Sequence, residues 1–352
     1  MIAITAESAD EVWLEVARKL RSGKLALVQT SRAGDTRELL HTCVTIRDPR
    51  QRWVLSRRPA INPAFALVEL VWIMTGRNDS AFVNSWNPAL PRYAGNGCHY
   101  HGAYGFRLRR HFGFDQLARA YEVFSKNPDT RQVVLQLWDA RADLPRPDDG
   151  SPTDPDIPCN VCSLLKVRDG KLEWLQVIRS NDIFLGVPYN FVQFTSLQEI
   201  IAGWLGLELG EYMQISDSLH VYERDLPSIT SLRRASPTLN NDRFTQTRSE
   251  SEKFFCTLAE RIERMVGDLD QEMLEGLSLG NALPSSFQNI LKIVAADAAR
   301  RRQWDDLAAR LASACTNDCL RAAWDAWKRR CAQKQPHRVQ AINDSASVGL
   351  CA

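Results

Sequence analysis

The chain has 352 residues, 44% of them hydrophobic and 24% charged, with a formal net charge of +2. That length accommodates one large core, or one domain with a smaller addition. The nearly balanced charge excludes a strong electrostatic case for nucleic acid or a membrane as the main partner.

The first twenty residues hold Glu7, Asp10, Glu11 and Glu15. They lack the basic start and apolar run of a signal peptide. Residues 8–21 have the spacing of an amphipathic helix. Residues 24–30 (KLALVQT) read as a strand, 31–38 (SRAGDTRE) as a turn, and 39–46 (LLHTCVTI) as a second strand. After Asn62-Pro63, the run AFALVELVWIMTGR reads as a mostly buried helix ending near Gly76. This is the most apolar stretch, but it is short and interrupted by Glu69, so no membrane-spanning helix is expected.

Residues 84–107 are loop-like and aromatic, 115–125 helical, and 131–138 (RQVVLQLW) a strand. Residues 143–156 form a Pro/Asp/Gly loop. Two alternating segments then flank Asp169-Gly170, a strong hairpin signal. Residues 190–206 read as a helix ending at Gly206, and 211–222 as a strand. From about 251 the pattern becomes helical throughout. The expected division is a main domain over 1–250, a helical subdomain over 251–335 and a loose tail over 336–352.

Nine cysteines are scattered along the chain. Without an export signal they point to reduced thiols in a cytoplasm. Cys159 and Cys162 stand in CxxC spacing within DIPCNVCSLLKV. A zinc site needs about four ligands, and no second CxxC or adjacent His pair supplies them. Cys315 and Cys319 have helical spacing, but the bland reading is two buried small apolar residues. A redox CxxC usually opens a helix, whereas a hairpin follows here. Two readings remain: a single nucleophile, or two structural cysteines. A hairpin turning at Asp169-Gly170 sets residue 159 roughly opposite 180. That brings Arg179 beside Cys159, and a nearby cation raises the thiolate fraction.

These residues resemble the thymidylate synthase family, which includes pyrimidine-nucleotide hydroxymethylases. The resemblance rests on Pro158-Cys159, Arg179-Ser180, Asp182, Leu185-Gly186, Pro188, Asn190, His220 and Tyr222, in that order. Arg32, Glu69, Trp86, Tyr104 and Arg131 fit upstream. It covers roughly residues 20–225. It implies an α/β (α+β) fold, a mixed sheet with surrounding helices, to which the all-helical C-terminal extension is added. It also implies a homodimer formed through sheet faces.

The implied activity is transfer of a one-carbon unit from 5,10-methylenetetrahydrofolate to C5 of a pyrimidine nucleotide. Addition of the Cys159 thiolate to C6 gives C5 enolate character. Arg179 would favour the thiolate and hold phosphate, as a planar fork of donors can. Ser180 and Arg32 would bind the same phosphate, and Arg131 would reach the partner's. Asn190 would read the base; its carboxamide matches uracil N3–H and O4 together, which points to dUMP. His220 and Tyr222 would bond the sugar hydroxyl. Glu69 would organise water and proton transfer, since a buried carboxylate is paired or functional. Tyr104 would assist proton removal from C5. Trp86, Asp182 and Gly186 would face the folate.

The chain departs from the family pattern in several places. Asn160 stands where His is usual, Leu164 where Gln is usual, and Gln132 where a second Arg is usual. No apolar capping tail is recognisable. A site open to water would yield a hydroxymethyl product, and a closed one a methyl product. The missing tail pulls toward hydroxymethylation and Asn190 toward the uracil substrate; the first reading is dUMP methylation. The alternatives are a dUMP, dCMP or CMP 5-hydroxymethylase, or a catalytically idle nucleotide-binding relative.

Overall fold

A computed structural model describes residues 2–24, 26–31, 34–230 and 232–334. Among them, seven strands form one mixed sheet. The strands are β1 (Ile2–Ala6), β2 (Leu27–Ser31), β3 (Gly34–Ile46), β4 (Val134–Gln136), β5 (Asn160–Arg168), β6 (Lys171–Asp182) and β7 (Glu208–Tyr222). Their order is β1-β3-β7-β6-β5-β4. β2 lies antiparallel along the first half of β3, and β1 parallel along its second half. The turn expected over 31–38 is mostly strand, because Ser31 already pairs with Gly34 and the ladder continues to Leu27–Glu38. Only residues 134–136 of the expected 131–138 strand join the ladder.

Helix α1 (Ala9–Ser22) begins where Ser8 Oγ accepts the Glu11 N–H at 3.3 Å and stops at left-handed Gly23. Helix α2 (Pro63–Met74) starts at Asn62, whose Oδ1 accepts from Phe65 N at 3.2 Å, with Pro63 in the first turn. Every α2 residue except Glu69 is buried. A helix that is apolar all round needs cover on every side. The helices expected over 115–125 and 190–206 form as α3 (Gln116–Lys126) and α4 (Val187–Leu205). The C-terminal helices follow as α5 (Arg248–Arg264), α6 (Gln271–Ser278), α7 (Ser285–Arg301), α8 (Asp305–Ser313) and α9 (Asp318–Lys334). Helices α4, α5, α7 and α9 all pack on α2. The C-terminal helices therefore share one apolar cluster with the sheet and α2. The tail expected over 336–352 lies outside the described residues.

β6, α4 and β7 form a parallel crossover unit, with Gln176 opposite Gln214 and Asp182 opposite His220. α4 is buried along most of its length, and some of its polar side chains find partners in the core. Glu199 meets the buried guanidinium of Arg52, with Arg50 at 3.4 Å. Gln198 donates to the Leu172 carbonyl at 2.8 Å. The sheet's other face carries Cys162, Leu164, Leu175, Val177, Met213 and Ile215, all half-buried or exposed. Among the described residues, no helix is long and apolar enough to cross a membrane.

Candidate active site

The β5–β6 hairpin turns at Asp169-Gly170, both with positive φ, and pairs Arg168 with Lys171. A bulge between Asn160 and Cys162 then slips the register by one residue. Residue 159 therefore meets 179 rather than 180: the Arg179 N–H donates to the Cys159 carbonyl at 2.9 Å. The Arg179 side chain folds along the segment before the cysteine. Its Nε donates to Pro158 O at 2.9 Å and its Nη2 to Ile157 O at 3.0 Å. The guanidinium also lies 5.2 Å from the Trp138 ring centre. Cys159 is half-buried.

The segment leading into Cys159 is anchored from outside the sheet. Asp143 takes a two-pronged contact from buried Arg107, at 2.8 and 2.9 Å, and a third from His101 Nε2 at 2.6 Å. Asp156 accepts the Gly102 N–H at 2.8 Å. These bonds tie the 139–156 loop to the 101–111 segment, which carries Tyr104. The next residue, Gly105, lies against α2 so closely that a Cβ would fall 2.4 Å from the Ile73 carbonyl oxygen. Tyr104 is thereby held among Cys159, Asn160, Asp156 and Glu69. Burial, then repulsion by Cys159, keeps its phenol neutral well above the usual range, although a hydrogen bond with Asn160 partly offsets this.

Glu69 is the polar exception on α2. Its Oε2 is buried and has no hydrogen-bond partner among the described residues. Burial pushes its carboxyl up to about 7, against a smaller opposing effect of a Gln193 hydrogen bond. A carboxyl near neutrality can both take and give a proton.

Asn190 sits in the first turn of α4 and is buried. Its Oδ1 accepts from Asn160 Nδ2 at 3.3 Å, and its Nδ2 donates to Asn181 Oδ1 at 3.1 Å. Gly186, just before α4, makes room for that last contact: a Cβ there would lie 2.6 Å from Asn181 Oδ1. Asp182 ends β6; its Oδ1 accepts from the Phe184 and Leu185 amides, while Oδ2 is buried without a partner among the described residues. Ser180 pairs with Ser218 in the ladder. The His220 and Tyr222 rings stand perpendicular, 5.5 Å apart, at the end of β7.

Trp86 is buried, with the Arg301 guanidinium of α7 at 5.7 Å from its ring centre. Its indole nitrogen has no partner among the described residues. Arg131 is exposed, ahead of β4. Arg32 lies outside the described residues. Around β5, β6 and the start of α4 the fold thus gathers Cys159, Arg179, Tyr104, Glu69 and Asn190. Ser180, Asp182 and His220 stand at adjoining strand ends.

Sequence reasoning did not single out Asn181, Gln176 or Asp156. The signal for the first two was a polar side chain at a strand position facing the core, where an apolar one is usual. Cys315 and Cys319 are buried, as the bland reading expected. Among the described residues no disulfide forms, and no group of three or more His, Cys, Asp or Glu residues could hold a metal ion.

A family model described as thymidylate synthase matches residues 35–261. The chain is 37% identical over 193 residues to the deoxyuridylate hydroxymethyltransferase of Pseudomonas phage M6, covering 54% of this chain and 53% of that protein. It is 34% identical over 200 residues to the protein of the same name from Bacillus phage SP01, covering 54% and 51%. It is 33% identical over 116 residues to the thymidylate synthase of Leuconostoc mesenteroides, covering 33% and 34%. The chain thus spans about half the length of the two phage relatives. With the family match covering well over half of its residues, and the sheet, thiol and arginine arranged as above, the chain belongs to the thymidylate synthase family.

Proposed function

We propose that the protein transfers a one-carbon unit to C5 of dUMP, using 5,10-methylenetetrahydrofolate, with 5-hydroxymethyl-dUMP as product. The observation that carries this reading is the half-buried Cys159 beside an arginine clamped onto the two preceding carbonyls. The clamp holds a permanent cation against the segment that ends in Cys159, and a cation near a thiol favours the thiolate. The thiolate adds to C6, and C5 becomes the nucleophile. Asn190 accepts from N3–H and donates to O4, where negative charge develops. Tyr104, as a neutral phenol, passes the C5 proton on through hydrogen bonds, and Glu69 exchanges it near pH 7. Arg179, Ser180, Arg32 and the partner's copy of Arg131 bind the phosphate; His220 and Tyr222 bind the sugar.

Several polar atoms fit a flat, polar cofactor. Glu69 Oε2, Asp182 Oδ2 and Trp86 Nε1 are buried and lack partners among the described residues. Asp182, Trp86 and the Gly186 turn would hold the folate, which supplies carbon at the formaldehyde level when bound. A cavity of about 420 Å³ between residues 58–60 and α9 is lined by Arg58, Arg329 and Arg330 without a carboxylate. It suits the glutamate carboxylates of such a cofactor. The apolar outer face of the sheet suits a second copy of this chain, and the scattered cysteines, read as reduced thiols, favour a cytoplasmic location.

The hydroxymethyl product is favoured by the names of the phage relatives, at up to 37% identity. Thymidylate formation is the second reading, supported by the Leuconostoc relative. The test is tritium release from C5-tritiated dUMP with the folate present, followed by product mass. The wild type releases tritium and Cys159→Ser does not. Equal release from both proteins, or none from either, would sink the proposal. A product heavier than dUMP by a methyl rather than a hydroxymethyl group selects the second reading.

A further inference from the structure

Behind Asn190 runs an uninterrupted chain of buried side-chain hydrogen bonds. Trp174 Nε1 donates to Gln176 Oε1 at 3.1 Å, and Ser163 Oγ donates to the same oxygen at 2.6 Å. Gln176 Nε2 donates to Asn160 Oδ1 at 2.9 Å. Asn160 Nδ2 donates to Asn190 Oδ1, Asn190 Nδ2 to Asn181 Oδ1, and Asn181 Nδ2 to Ser216 Oγ at 3.0 Å. None of these seven residues is more than 5% exposed.

A carboxamide can turn end over end at little cost in shape, exchanging its oxygen and nitrogen. An indole N–H cannot: it is only a donor. The oxygen of Gln176 must therefore face Trp174, which aims its NH₂ at Asn160. Asn160 in turn presents its oxygen to Gln176 and its NH₂ to Asn190. Turning Asn190 over would set two NH₂ groups against each other on one side and two oxygens on the other. Relieving that clash by turning Asn160 and Gln176 as well only moves it to Trp174. Water cannot reach the chain to satisfy the mismatch.

We propose that Trp174 is the origin of a one-way hydrogen-bond chain, through Gln176 and Asn160, that holds the Asn190 carboxamide in the orientation accepting uracil and refusing cytosine. This rests on Asn190 being the group that reads the base. Each Asn190 end has one bond within the protein and keeps one N–H and one lone pair for the nucleotide. The two orientations of that pair match uracil and cytosine respectively. Trp174, Gln176 and Asn160 are positioning residues that act through Asn190. The asparagine at 160, where the sequence departs from its family, is the link that carries the polarity onward.

The test is calorimetric binding of dUMP and dCMP, without folate, to the wild type, Asn190→Ala, Gln176→Leu and Trp174→Phe. A fifth protein carries benzothienylalanine at 174, which keeps the ring's size and replaces only the N–H. It guards against a Phe variant that fails to fold. The wild type prefers dUMP. Loss of one buried donor lowers that preference at least about tenfold in the 174 and 176 variants. The dUMP affinity itself falls less. If Asn190→Ala abolishes the preference but both 174 variants and Gln176→Leu keep it, the chain plays no part and the proposal falls alone. If Asn190→Ala keeps the preference, or the wild type has none, base reading by Asn190 falls and takes the proposal with it.

Discussion

Replacing Glu69 with glutamine isolates the energetic consequence of placing a carboxyl in an apolar helix. The side chain keeps its shape and its contact with Gln193, but can no longer ionise. Burial raises the native carboxyl from an ordinary 4.5 to about 7. Each tenfold change in proton affinity is worth about 1.4 kcal/mol, so the full span corresponds to about 3 kcal/mol. The sign follows from proton binding. Between 4.5 and 7 the native state holds the proton more tightly than the unfolded chain, so wild-type stability falls as pH rises through this window. Below 4.5 both states are protonated, and above 7 both are ionised, so the effect is flat outside it. Glu69→Gln lacks this contribution. Urea unfolding of both proteins, from about pH 4 to about pH 8, gives the difference directly. The glutamine variant gains on the wild type by about 3 kcal/mol across the window, while tritium release near neutral pH collapses. Any constant offset between amide and acid drops out, because only the pH dependence matters. A stability difference that stays level between pH 4.5 and 7 would refute the assigned burial of Glu69 and its role as a proton exchanger.

Two further changes test how the site and its surroundings are built. Gly186→Ala places a methyl group against the Asn181 carboxamide, 2.6 Å from its oxygen. It lowers unfolding free energy by about 1–3 kcal/mol and weakens dUMP binding, measured by urea titration and calorimetry; unchanged values would mean the close approach is absent in solution. Val177→Glu puts a charge in the middle of the apolar outer sheet face, between Cys162 and Ile215. If the proposed dimer forms through this face, sedimentation shows a dimer for the wild type and monomers for this variant; an intact variant dimer would put the interface elsewhere, and a monomeric wild type would remove the proposed dimer.

Local physical chemistry made much of the architecture legible from sequence. Asp169-Gly170 between two alternating segments specifies the hairpin, and the hairpin alone brings Arg179 near Cys159. Asn62-Pro63 starts α2, and Gly206 stops α4, because capping and backbone conformation act over only a few residues. The uninterrupted apolar run of α2 announced a helix covered on all sides and made Glu69 conspicuous. What covers it was not legible: the C-terminal helices that close around α2 are more than a hundred residues away, and periodicity reports which face is buried but not against what. The bulge that moves residue 159 from opposite 180 to opposite 179 depends on how two strands fit their neighbours, which no turn signal encodes. The orientation of Asn190 lies further still from local sequence. It depends on an indole N–H on β6 reaching it through side chains from two different strands. Sequence therefore determined the kinds of group present and their rough company, through short-range conformational rules. Tertiary structure decided register, enclosure and the direction of each hydrogen bond, because these depend on which distant groups are pressed together once water is excluded.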